Sequence, residues 1–421
     1  MTLPGAPFLA REGGELRLDG HALAGLAQQH GTPLFVYSRA AMRSALASYE
    51  RALQGRRHLV CYAMKANSTL AVLQTFAQAG CGFDIVSGGE LARVLAAGGD
   101  PAKVLFSGVG KTRGEMRQAL QAGVRCFNVE SVGELDRLNE VALSLGQQAP
   151  VSLRVNPDVD AGTHPYISTG LKGNKFGIAH DEALAAYRSA ASLPGLRVVG
   201  IDCHIGSQIT QLEPYLDAMD RLLDLVEAVE AAGIPINHVD VGGGLGITYL
   251  DEQPPDAAVL VGELIKRLDA RGHGHREMLF EPGRSLVGNA GVMLTEVLYL
   301  KPGETKHFCI VDAAMNDLMR PALYQSWMAI EPCRQRDAPL MTWDVVGPVC
   351  ESGDWLGRDR ALALQPGDML AVLSAGAYSM VMASNYNTRP RAAEVMIDGA
   401  QVHLIRQRES VRALFADERL I

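Results

Sequence analysis

The run His58-Leu59-Val60-Cys61-Tyr62-Ala63-Met64-Lys65-Ala66 is almost wholly apolar until it meets a lysine. It is followed by Thr69–Gln78, rich in Ala and Leu, and then by a second apolar run, Gly82-Phe83-Asp84-Ile85-Val86-Ser87. A strand that returns to another strand through a helix must enter parallel to it, because two-residue hairpins join only antiparallel neighbours. Near-continuous apolar runs are also what parallel strands, covered on both faces, require. The alternation recurs at Val104–Gly108, Cys126–Glu130, Val151–Pro157, Val198–Gly206, His238–Gly244 and Met278–Gly283, making eight runs in all. Seven helical segments separate them, among them Gly89–Ala97, Val132–Leu145 and Leu212–Ala231, and Ala40–Leu53 precedes the first. The expected architecture is a closed (β/α)8 TIM barrel over residues 36–285.

Past residue 285 the texture changes. Short alternating runs at Val292–Tyr299, His307–Asp312, Trp343–Gly347, Met369–Ser374, Glu394–Ile397 and Gln401–Arg406 are punctuated by Pro302-Gly303, Pro366-Gly367 and Asp398-Gly399. That spacing predicts an antiparallel β domain, and Pro7–Asp19 reads as a further hairpin outside the barrel. The chain of 421 residues, 48% hydrophobic and 20% charged, has the composition of a globular protein and not of a disordered one. A net charge of -8 gives no basic field to concentrate it on nucleic acid or anionic lipid. Seven cysteines without a C-x-x-C pair suggest free thiols in a reducing cytoplasm, with no disulfide framework and no metal cluster. No basic, apolar leader and no uninterrupted apolar stretch long enough for a membrane span is present, so a soluble cytoplasmic chain is expected.

Barrel enzymes place their chemistry where the strands end. In order, these strands end at Lys65, Asp84, Ser107, Glu130, Asn156, His204, Gly242-Gly243-Gly244, and Glu281 with Gly283 and Arg284. A strand-end lysine among apolar neighbours has the lowered proton affinity needed to attack a carbonyl, although a surface lysine reads the same way. The glycines after strand seven let backbone N–H groups converge on a phosphate, or simply make a tight turn. Lysine and phosphate cradle together imply pyridoxal 5'-phosphate. His204 then suits the face of the cofactor ring, or is an internally satisfied histidine. Glu281 suits the pyridine nitrogen, or caps a turn. In the β domain, Cys350 within Gly347–Asp354 is either an acid or an inert thiol, and Arg320 either binds a carboxylate bidentately or forms a surface ion pair. Tyr324 and Tyr378 fall in loops nearby in the sequence.

Together these residues resemble the diaminopimelate decarboxylases, of the alanine-racemase-like class of pyridoxal-phosphate enzymes. The resemblance runs from Phe35-Val36-Tyr37 to Asn385-Tyr386-Asn387-Thr388-Arg389-Pro390-Arg391, and its most specific element is His164-Pro165-Tyr166-Ile167-Ser168-Thr169-Gly170-Leu171-Lys172, continued by Asn174-Lys175-Phe176-Gly177. Only Gly173 departs, standing where many relatives carry a larger polar residue. The resemblance implies that Lys65 carries the cofactor, His204 stacks on its ring and Glu281 pairs with its nitrogen, with Asp84 among the cofactor-binding residues. Ser207, Gly242–Gly244, Gly283, Arg284 and Tyr378 hold its phosphate. Arg284, Arg320, Tyr324 and Tyr378 would read the substrate, Glu351 its ammonium, and Cys350 would donate the proton from the partner subunit of a homodimer with shared active sites. It also implies a C-terminal β-barrel completed by the N-terminal segment, so that residues 1–35 and 286–421 form one domain. The implied reaction is decarboxylation of meso-2,6-diaminopimelate to L-lysine and carbon dioxide, the last step of lysine biosynthesis. A decarboxylase of ornithine, arginine, lysine or carboxynorspermidine is the nearest alternative, but two arginines would repel a distal cation. A racemase of the same class lacks a reason for the distal carboxylate site, and a silent cofactor-binding paralogue would not need to keep Lys65 and Cys350.

Overall fold

In the computed structural model, residues 3–160, 162 and 174–421 are described, so the His164–Lys172 motif and Gly173 lie outside the described residues. The chain divides into two compact units, one of residues 45–247 with 253–285 and the other of the chain up to 44 with 248–252 and 286–421.

The first unit is the barrel. Its strands are His58–Ala63, Gly82–Ile85, Val104–Phe106, Cys126–Val129, Ala149–Asn156, Leu196–Asp202, His238–Asp240 and Glu277–Phe280. Each pairs in parallel with the next, and the eighth returns to the first through Met278 opposite His58, which closes the ring. All eight apolar runs of the sequence became these strands, because each is covered on both faces. Leu59, Cys61, Leu105, Cys126, Val199 and Leu279 form one buried cluster drawn from five strands. The helices begin abruptly after the strand ends, and the sequence says why. Ser87, Thr112 and Ser131 each accept a hydrogen bond from the backbone N–H of a glutamate three residues on, Glu90, Glu115 and Glu134. A cap of this kind contributes about 1 kcal/mol and fixes the length of the preceding loop. Lys111 adds a buried tie: its Nζ donates to Glu134 Oε1 at 2.7 Å and to the Asn128 and Gly108 carbonyls at 2.8 and 2.7 Å.

The second unit departs from the expected antiparallel barrel. Its nine-stranded sheet is mixed, because Phe308–Val311 runs parallel to Met341–Val346, and Leu34–Ser38 runs parallel to Ala393–Asp398. The first parallel pair follows from a connection long enough to cross over. The second arises because Leu34–Ser38 comes from the other end of the chain and inserts between Ala393–Asp398 and the antiparallel Gly291–Lys301. Among the described residues no pair joins the outer strands, Trp355–Leu362 and Gln401–Arg406, into a ring. Trp355–Leu362 was not legible in sequence, since Arg358, Asp359 and Arg360 break its apolar pattern, and the short Ile330–Pro332 was also missed. The N-terminal hairpin is present, with Leu9 opposite Leu18, and the Leu16 N–H donates to the Cys333 carbonyl at 2.8 Å. Its core draws on both chain ends, with Leu16, Leu18, Leu23 and Leu34 packed with Leu294 and Val395. Among the described residues no helix is long and apolar enough to cross a membrane.

The tightest steric demand on the barrel wall lies at strand six, which bulges between Val198 and Gly200. A Cβ on Gly200 would stand 2.0 Å from Nε2 of the buried His238 ring. Gly200→Ala is therefore expected to lower stability by about 1–3 kcal/mol through overpacking. A fall in the urea midpoint at unchanged slope would confirm this, and an unaltered midpoint would refute it.

Candidate active site

The first barrel strand ends at Ala63, whose N–H donates to the Pro282 carbonyl at 3.1 Å and so ties the loops after strands one and eight. The chain then makes a single tight turn through Met64–Ala66, which presents Lys65. Lys65 Nζ donates to Asp84 Oδ2 at 2.9 Å, the lysine side chain being 38% exposed and the carboxylate fully buried. Asp84 Oδ1 has no partner among the described residues.

His204 follows the sixth strand. Burial first, then the charges of Arg154 and Lys65, hold its proton affinity well below the usual imidazole range. The ring is thus neutral, and its Nδ1 accepts the Gly243 N–H at 3.2 Å, which leaves the proton on Nε2. Arg154 itself is neutralised by Glu130, Nη1 to Oε1 at 3.0 Å.

Glu281 closes strand eight. Its Oε1 accepts from Asn128 Nδ2 at 3.1 Å, and the same amide group reaches Ser107 Oγ at 3.2 Å. Oxygens of Glu281, Asp202 and Asp240 lie within 4.8 Å of one another, all buried. Burial pushes all three carboxyls up, and their mutual repulsion adds to it for Glu281 and Asp202. Asp240, also pushed up by burial but eased by the Gly242 N–H it accepts, reaches about 7. Such a cluster binds protons, or welcomes a cationic group.

The loops after strands six, seven and eight touch through backbone. A Cβ on Gly243 would stand 2.1 Å from the Glu281 carbonyl oxygen, and Gly244, at φ +97°, would drive one to 2.3 Å from that of Gly206. Only glycine fits such approaches. Arg284 Nη2 donates to Ser207 Oγ at 3.1 Å and joins loop eight to loop six. Gly283 packs its Cα side against the end of strand one, where a Cβ would sit 3.1 Å from the Ala63 carbonyl oxygen. Backbone groups and one guanidinium, unobstructed by side chains, make an anion cradle. Lysine amine, neutral imidazole, proton-binding carboxyls and cradle are together complementary to a phosphorylated aromatic aldehyde with a basic ring nitrogen.

In the second unit Arg320 opens the short helix Arg320–Tyr324 and is buried, its guanidinium carbon 5.2 Å from the Tyr249 ring centre and 5.7 Å from that of Tyr324. Tyr378 holds φ +53°, a conformation that costs a non-glycine residue about 1–3 kcal/mol. Cys350 is exposed whereas the other six cysteines are buried, and its N–H donates to Asn387 Oδ1 at 3.0 Å. Glu351 Oε2 accepts from the Tyr386 hydroxyl at 2.8 Å, which pushes that phenol up. Asp354 anchors their loop by accepting the Met315 and Val349 N–H groups at 2.6 and 2.7 Å.

Lys65, Asp84, His204, Ser207, Gly242–Gly244, Glu281, Gly283 and Arg284 thus all belong to the barrel unit, and Arg320, Tyr324, Cys350, Glu351 and Tyr378 to the other. Strand ends alone missed Asn128, Arg154, Asp202 and Asp240. Each lies two residues before a strand-end residue already noted, Glu130, Asn156, His204 and Gly242. Arg154 and Asn156 share one strand, whose two-residue period puts both on the same face, while the other three precede residues that lie just past their strands.

Residues 39–288 match the pyridoxal-binding domain of the pyridoxal-dependent decarboxylases. The chain is 62% identical over 408 residues to a diaminopimelate decarboxylase of Pseudomonas aeruginosa, covering 97% of each, and 58% identical over 414 residues to one of Vibrio cholerae, covering 98% of this chain and 99% of the other. Its fold is similar to that of a diaminopimelate decarboxylase from M. jannaschii solved in complex with L-lysine, with a TM-score of 0.95 and 37% identity over 100% of this chain and 99% of that one.

The raised carboxyls make stability depend on pH in a definite sense. A carboxyl that binds its proton more tightly folded than unfolded contributes stability fully below the ordinary carboxylate range, and loses it as pH rises through the folded value, about 7 for Asp240. Ligand-free protein should therefore weaken between pH 5 and 8, by up to about 1.4 kcal/mol per pH unit for each proton released. Asp240→Asn removes one such group, and its urea-unfolding free energy should fall less steeply over that range. Parallel curves for the two proteins would contradict the assignment.

Proposed function

Because the chain belongs to the pyridoxal-dependent decarboxylases and, within them, to the diaminopimelate decarboxylases, we propose how its own residues divide the work of the reaction. The enzyme decarboxylates meso-2,6-diaminopimelate to L-lysine and carbon dioxide, the last step of lysine biosynthesis. Pyridoxal 5'-phosphate, when bound, supplies the electron sink that the departing carboxyl's electrons enter. The observation that carries the assignment of roles is Lys65 held by a buried carboxylate in the same barrel mouth as a buried, proton-binding Glu281.

Lys65 carries the cofactor on its amine, and Asp84 fixes where that amine waits. Glu281 holds the ring nitrogen, with Asn128 fixing the carboxyl's orientation. His204 lends the face of an uncharged ring, since a cation there would oppose the positive charge wanted on the pyridine nitrogen. Ser207, Gly242, Gly243, Gly244, Gly283 and Arg284 hold the phosphate, with Tyr378. Arg320 and Tyr324, together with Arg284 and Tyr378, read the distal end of the substrate, and a guanidinium there excludes amines that end in a cation. Glu351 takes the ammonium, and Cys350 Sγ delivers the proton.

The active unit in this reading is a homodimer with shared sites. The exposure of Cys350 and Glu351 on the β unit supports their reaching a partner's barrel. We assign the cofactor to residues 36–285 and the completing domain to 1–35 with 286–421. Seven unbridged cysteines support a cytoplasmic location.

Carbon dioxide release compared across meso-diaminopimelate, ornithine, arginine and lysine tests the substrate assignment, and Arg320→Ala tests the reader. A charged hydrogen bond is worth about 1.5–3 kcal/mol, so kcat/KM on meso-diaminopimelate should fall roughly ten- to hundredfold. An unchanged value would remove Arg320 from substrate recognition. Subunit exchange tests the shared sites. Lys65→Ala mixed with Cys350→Ala should recover about a quarter of wild-type activity above the parents' residual rates, because each heterodimer pairs one doubly damaged site with one intact site. If exchange is verified by mass-tagged subunits and activity stays flat, Cys350 serves its own chain's barrel.

A further inference from the structure

The second unit holds a cavity of about 900 Å³ that is separate from the residues assigned above, apart from the Tyr249 ring that also lines it. Its walls are apolar, formed in part by Leu3, Leu250, Ile330, Leu340 and Leu362, with Leu250, Trp327 and Leu340 exposed to solvent around it. Two cations line it, Arg336 and Arg360, and only the second is buried. Arg360 is only 6% exposed, stacks on the Trp327 ring, and makes no hydrogen bond or ion pair among the described residues. Its Nε is buried and unpartnered.

A guanidinium is seldom buried without an acid, because desolvation costs several kcal/mol that nothing then offsets. Burial lowers its proton affinity to about 10, so it still carries its charge at neutral pH. Of the acids around the cavity only the exposed Asp359 favours its charge, and it makes no ion pair with it. Glu331 is bridged to Arg11 and Arg336 to Asp368, while Asp337 and Asp359 are exposed. Space has been kept for the guanidinium: Gly357 faces it, and a Cβ there would stand 2.5 Å from Nε. Nε is closed off behind Gly357, but the terminal Nη1 and Nη2 are not, and their N–H groups are the donors a planar anion in the cavity would meet.

We infer that this cavity binds a carboxylate carried on an apolar body, the carboxylate pairing with Arg360 and the body lying against Trp327 and the leucines. A free organic acid and an apolar amino acid share that chemistry, and the exposed Asp337 and Asp359 would tolerate an ammonium at the rim.

The test measures binding to the holoenzyme by calorimetry, in saturating L-lysine to fill the catalytic site, with 3-phenylpropanoate, its neutral amide and L-phenylalanine as probes. The acid should bind with one site per chain, the amide at least about tenfold more weakly, and Arg360→Met should weaken the acid by roughly ten- to hundredfold. Because Leu340 is 68% exposed, Leu340→Asp tests the same site without disturbing the core, and should weaken the acid through like charge. L-phenylalanine binding as tightly as the acid identifies amino acids as ligands, and weaker binding identifies free acids. Equal binding of acid and amide, insensitivity to Arg360→Met and Leu340→Asp together, or dissociation of the dimer by Leu340→Asp would overturn the inference, the last by showing that a second copy covers the cavity.

Discussion

Three carboxyl groups gathered within 4.8 Å in a closed barrel constrain almost everything else about this protein. Left ionised they would repel, and at such distances in a poorly hydrated interior the repulsion amounts to several kcal/mol. The molecule meets the cost by letting them keep protons, by giving Glu281 the Asn128 amide and Asp240 the Gly242 N–H, and by pairing nearby Arg154 with Glu130. These partners come from the fourth, fifth and seventh barrel strands and the loops that follow them. The arrangement therefore requires strands that do not slip, and the short capped turns at Ser87, Thr112 and Ser131 supply that rigidity. A site built this way accommodates a cationic ring nitrogen in the place of a proton, at little cost in reorganisation.

The same rigidity is needed in the opposite sense at the cradle. There, contacts of backbone on backbone at Gly243 and Gly244 leave no room for side chains. Stiffness comes from packing, and the open space for an anion comes from what the glycines omit. The second unit works differently, with buried Arg320 beside exposed Cys350 and Glu351 on a loop fastened by Asp354. In the proposed division of roles, recognition of a distal group would ask for a fixed cation, whereas delivery of a proton to another chain would ask for reach.

The barrel was legible because a parallel strand buried on both faces reads as a continuous apolar run, and all eight such runs were strands. The placing of Lys65, His204 and Glu281 at the mouth of the barrel was legible because they follow directly on its strands. Asp202 and Asp240 were not, because the apolar runs read as continuing to Gly206 and Gly244, which put both aspartates in strand interiors, whereas they are the last residues of their strands. The β unit was less legible for a different reason. Pattern and turn residues report neighbours along the chain, so nothing near Leu34–Ser38 announced a parallel partner more than 300 positions away. Trp355–Leu362 failed the apolar pattern because Arg360, a buried cation without an acid, stands where a core residue was expected.

That insertion of Leu34–Ser38 between Gly291–Lys301 and Ala393–Asp398 also sets an order of events on the ribosome. Barrel strands can zip to the preceding strand as soon as each emerges, since all but the closing pair are neighbours in sequence. Leu34–Ser38 is made early and meets its first partner, Gly291–Lys301, only after the whole barrel has been made. At about 5–20 residues per second that strand waits roughly ten to fifty seconds with its edges unpaired. A chain truncated before Gly291 would hold Leu34–Ser38 with neither of its two sheet partners.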